Sequence, residues 1–139
     1  MIQAGVNDIG NLLKIRPQPS SRQTSDFIKD MIMELKFFIS SVRNFGFADN
    51  VIITEIFVPS ENVPFRMLSH CRVALELNKS LASLANDHVT IYKNQVFLDR
   101  SCFDHKMLHL HESLHWKMQN ILRSMLRHML SRKGITFAI

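Results

Sequence analysis

The stretch His111-Glu112-Ser113-Leu114-His115 has the residue types of a metal site. Two histidines four positions apart share one face of a helix and can offer their rings to one zinc ion. A glutamate between them can take a proton from metal-bound water. The stretch lies inside an amphipathic run, 103–133, whose spacing predicts one long helix. At about 100° per residue, Met107, Leu110, Leu114, Met118, Ile121, Leu122, Met125 and Met129 form one apolar arc. His111 and His115 fall on the edge of that arc, and Glu112 turns toward the polar side.

The pattern resembles that of zinc-dependent hydrolases of the HExxH group, over five residues of 139. The resemblance implies His111 and His115 as zinc ligands and Glu112 as general base. Such a site needs a third protein ligand. No acidic residue follows Glu112, and Trp116-Lys117-Met118 stands where some of these enzymes continue to a third histidine. Similarity to peptide deformylases, which use an upstream cysteine, points to Cys71, forty residues before His111. Cys102 with His105 and His109 offers a second ligand set.

The other face of the same run has a different chemistry. Trp116, Arg123 and Arg127 line up opposite the methionine–leucine arc, with His105 and His109 two to three turns before Trp116. A tryptophan among arginines is a common anchor at protein interfaces; it also suits stacking on bases or binding at a headgroup layer, and packing under the N-terminal arm is the plain alternative. From Ser113 onward there is no carboxylate, while Lys117, Arg123, Arg127, Arg132 and Lys133 together equal the net charge of +5. This predicts an acidic partner, first a protein and alternatively nucleic acid or an anionic membrane. Cations near a helix C-terminus also complement its dipole, so a solvated face accounts for part of the excess.

The remaining composition sets bounds. One hundred and thirty-nine residues with 46% apolar content suit one domain with a true core. No apolar run is long enough to span a bilayer, and no secretory signal is visible. Cys71 and Cys102 among eight methionines point to a reducing compartment, cytoplasmic or nuclear. No glycine-rich phosphate loop and no Gly-x-Ser-x-Gly is present.

The elements that must position these residues follow from periodicity. Residues 1–23 read as an N-terminal arm and linker: a short helix near 9–14, then a polar segment with Pro17 and Pro19. Residues 24–139 read as a single domain. Phe27, Met31, Leu35, Phe38 and Val42 predict the inward face of a helix over 25–44, stopped by Gly46. A strand is predicted over 51–58 and a helix over 65–85, with Leu68, Cys71, Leu75, Leu81 and Leu84 near one face. Alternation across 71–77 leaves a strand there as the alternative. Residues 89–92 and 96–98 read as a hairpin or one bent strand, and 135–139 as a last strand after Gly134. The expected architecture is one layered α+β domain, with three main helices on a small sheet and a long amphipathic C-terminal helix.

The reading is a non-enzymatic macromolecule-binding module, an adaptor or accessory subunit. Its contact residues are Trp116, Arg123, Arg127 and His109, and a homo-oligomer is compatible with it. The alternative is a zinc hydrolase, with zinc as its cofactor. The third is a nucleic-acid binder using the same basic face.

Overall fold

The computed structural model describes residues 5–60, 63–104 and 109–132. Within them the chain runs α1 (Val6–Ile15), α2 (Ser21–Asn44), β1 (Val51–Thr54), α3 (Leu68–Leu81), β2 (Val89–Tyr92) and α4 (His115–Arg132). This is a small α+β arrangement, with four helices and a two-stranded sheet among the described residues. None of these helices is long and apolar enough to cross a membrane.

α2 begins earlier than its apolar periodicity indicates, because Ser20 and Gln23 form a reciprocal cap. Ser20 Oγ accepts from the Gln23 N–H at 3.1 Å, and Gln23 Oε1 accepts from the Ser20 N–H at 2.9 Å. The far end stops at Asn44 as expected. Gly46 takes a left-handed φ of 74°, and Phe47 N–H reaches back to Val42 C=O at 3.0 Å. The buried stripe is Ile28, Met31, Ile32, Leu35 and Ile39. Phe38, assigned inward from the sequence, is half exposed, because the stripe follows the isoleucines and leaves Phe38 at its margin.

The short helix expected near 9–14 forms as α1, and it contributes to the core. Ile9 of α1 is fully buried, and α1 packs on α3. Gly5 leads into it with φ 110°, and a Cβ there would lie 2.9 Å from Leu77 Cδ2. The boundary drawn at residue 23 therefore falls inside α2.

β1 and β2 pair in parallel, Val51 opposite Val89 through Thr54 opposite Tyr92. A parallel pair requires a crossover, and α3 supplies it. β1 is shorter than the predicted 51–58. Glu55 N–H still donates to Tyr92 C=O at 3.0 Å, but at Ile56 the side chain of Asn78 stands in for a neighbouring strand. Residues 96–98 form neither a hairpin arm nor a continuation of β2. Asn94 Oδ1 accepts from Val96 and Phe97 N–H, which folds the chain into a turn.

α3 is a helix through the segment whose alternation had left a strand open. It buries Val73, Ala74 and Leu77 beside Cys71 and Leu81, whereas Leu68 and Leu75 are exposed. Among the described residues the core has two parts. The larger joins α1, α2, α3 and the sheet; the smaller joins Phe57, Phe97, Phe103 and Met118 under α4. Each fully buried aliphatic side chain contributes about 1.5–3 kcal/mol. The predicted strand 135–139 lies outside the described residues.

Candidate functional site

The single helix predicted over 103–133 is interrupted. Phe103 and Leu110 form an antiparallel bridge, and His111 N–H donates to Cys102 C=O at 2.6 Å. The chain leaves this pair through a tight turn, Glu112–Leu114, and α4 starts only at His115. The same apolar spacing is satisfied another way: Leu110 and Leu114 reach the smaller core from non-helical backbone.

This changes the geometry of the candidate metal pair. His111 precedes the turn with φ −57° and ψ 138°, an extended conformation. Its Nδ1 accepts from the Ser113 N–H at 3.3 Å and lies 2.8 Å from the Ser113 hydroxyl. His111 is thus a cap for the turn, while His115 is the first residue of α4. The two rings do not stand one above the other on a continuous helix, which is the arrangement the spacing had implied. His111, Glu112 and His115 are all exposed.

The other proposed ligands are also placed. Cys71 is buried on α3, and burial pushes its thiol above the ordinary value. Cys102 is half-buried against the smaller core, and His109 is exposed. His105 and Met107 lie outside the described residues, as does the side chain of Met129. Among the described residues, no three histidine, cysteine, aspartate or glutamate side chains converge as a metal-binding group.

The basic face is built by α4. Met118 is buried at the centre of its inner side, with Leu114, Ile121 and Leu122 partly buried beside it. Trp116 projects from the opposite side and is 62% exposed. Arg123 and Arg127 are exposed at helical spacing from it. Lys117 neighbours Met118 at the edge of the inner side, and its Nζ lies 5.7 Å from the centroid of the Phe97 ring. Its stem and charge therefore cover the smaller core rather than disrupting it.

Two further surfaces were not apparent from periodicity. The C-terminal half of α2 exposes Met33, Phe37 and Phe38, and Phe45 and Phe47 follow with ring centroids 6.3 Å apart. Only the Met33–Phe37 spacing of four hints at this second stripe. The polar groove around Arg72 has no sequence signature, because its walls come from separate segments. No family model, curated protein or solved structure matches the chain.

Proposed function

We infer that the chain is a non-enzymatic binding module whose α4 docks on an acidic surface of a partner protein. The observation that carries this reading is Trp116, largely exposed on a helix whose described length, His115–Arg132, contains no carboxylate. A large aromatic held on a rigid helix loses little side-chain freedom on binding and can be desolvated at the centre of a contact. Arg123 and Arg127 on the same side add charge that would steer an acidic partner and fix its register.

The test places a photo-crosslinking residue at Gln119, beside Trp116, and compares captured proteins with and without Trp116→Ala. The expected result is capture of a discrete acidic protein, weakened about 30-fold or more by Trp116→Ala while the fold is kept. Capture that is indifferent to Trp116→Ala overturns the reading. Binding to duplex DNA of any sequence, falling steeply with salt, would assign the same face to nucleic acid instead.

A further inference from the structure

Two cavities open where the first turns of α2 meet the outer stripe of α3. One, of about 440 Å³, is walled by Pro17, Pro19, Thr24, Phe65, Arg66 and Arg72 among others. The other, of about 530 Å³, includes Ser21, Thr24, Ser25, Lys29, Arg72 and Glu76. Both are bordered by Pro19, Thr24 and Arg72, so they form one groove with Arg72 at its middle.

Charge in this groove is mostly positive. Arg72 is exposed, and among the described residues no hydrogen bond or ion pair engages its side chain. Glu76 lies one turn further along α3, but its carboxylate is held by Lys79 at 3.0 Å. Lys29 adds a second cation. Thr24, Ser21 and Ser25 supply hydroxyl donors from α2. The first turn of α2 contains no acidic residue, so its dipole reinforces the positive potential. The cap formed by Ser20 occupies the Gln23 N–H.

A guanidinium fork flanked by hydroxyls and a second cation suits a phosphomonoester, whose oxygens accept paired N–H bonds and whose charge approaches two. Phe65, 89% exposed, borders the same cavity as Pro17 and Pro19 and offers a ring face. We propose that this groove binds a small phosphomonoester bearing a flat ring, such as a nucleoside monophosphate. Arg72 anchors the phosphate, Thr24 and Lys29 assist it, and Phe65 stacks on the ring. The site lies on α2, α3 and the segments beside them, and is independent of α4.

Calorimetric titration of the full chain with adenosine monophosphate, inorganic phosphate and adenosine tests each part. The expected order is monophosphate tightest, inorganic phosphate weaker and adenosine weakest. Arg72→Ala should weaken both phosphate-bearing probes about tenfold or more, with an unchanged circular dichroism spectrum. Phe65→Ala should weaken adenosine monophosphate and spare inorganic phosphate. Arg72→Lys keeps the charge without the fork and should recover only part of the loss. Absence of heat with both phosphate-bearing probes at about 10 mM overturns the proposal, as does affinity unaffected by Arg72→Ala in a folded variant. Adenosine binding as tightly as its monophosphate overturns it too.

Discussion

Asn78 pairs with the backbone of Ile56 through both ends of its side-chain amide. Its Oδ1 accepts from the Ile56 N–H at 2.8 Å, and its Nδ2 donates to the Ile56 C=O at 2.8 Å. Ile56 is 3% exposed, so its peptide groups have no water to turn to. The amide continues the hydrogen bonding of β1 beyond the point where β2 ends. Asn78→Ala is expected to destabilise the fold by roughly 2–4 kcal/mol, because it orphans a buried donor and a buried acceptor. Urea unfolding reads this directly; a loss under about 0.5 kcal/mol would show that Ile56 finds other partners.

The two faces of α2 should respond differently to truncation. Leu35→Ala removes a side chain from the core stripe and should cost about 2–5 kcal/mol. Phe37→Ser, on the exposed side, should change stability by no more than about 0.5 kcal/mol. Equal effects in thermal unfolding would contradict the assigned orientation.

His70 gives the fold a pH dependence. It is buried on α3, and its Nε2 lies 3.3 Å from the Val6 carbonyl, the first residue of α1. Burial holds its pKa below the ordinary 6.5, with the Val6 contact opposing that shift. The unfolded chain therefore takes up a proton near pH 6.5 that the folded chain refuses. The stability from neutral His70 is present above that pH and is lost as pH falls from 6.5 toward the lowered folded value. Acidification from pH 7 to about pH 5 should lower the melting midpoint, and His70→Gln should flatten that slope. A slope identical in His70→Gln would assign the effect to other groups.

Zinc is expected to leave the structure around His111 unchanged. Seating both His111 and His115 on one ion through helix spacing requires the turn Glu112–Leu114 to join α4 and the Ser113 contact to break. Cys71 is protonated and buried, so it should resist alkylation in the folded state while half-buried Cys102 reacts first. A one-equivalent rise in helical signal on adding zinc, with protection of His111 and His115, would restore the metal pair.

Local signals in the sequence mark α2 well. Its isoleucines and leucines recur at helical spacing, and Gly46 supplies the left-handed stop. Its start was hidden because Ser20 and Gln23 act through a cap rather than through hydrophobicity. The long C-terminal run misleads for a related reason. Leu110, Leu114 and Met118 all serve the smaller core, yet the first two do so from an extended pair and a tight turn. Apolar spacing reports which side chains are needed inside, not which backbone delivers them. The opposition of Trp116 to the methionine–leucine arc left exposure and packing under the N-terminal arm equally open, and the groove at Arg72 depends on a meeting of α2 and α3 that no local pattern encodes.

The parallel register of Val51 with Val89 has a kinetic consequence. The partners are 38 residues apart, and no hairpin can bring them together. Closing that length of chain costs about 2 kcal/mol more than closing a four-residue turn, before any ladder bond forms. Docking of α3 on the chain just after β1, through Asn78 and Ile56, shortens the search, so assembly should begin there and α4 should settle onto the smaller core last. Ala74→Gly, at a fully buried point of α3, should slow refolding, whereas Met118→Ala should mainly accelerate unfolding. Stopped-flow chevrons with those assignments reversed would mean that the Phe57, Phe97 and Phe103 cluster nucleates the chain instead.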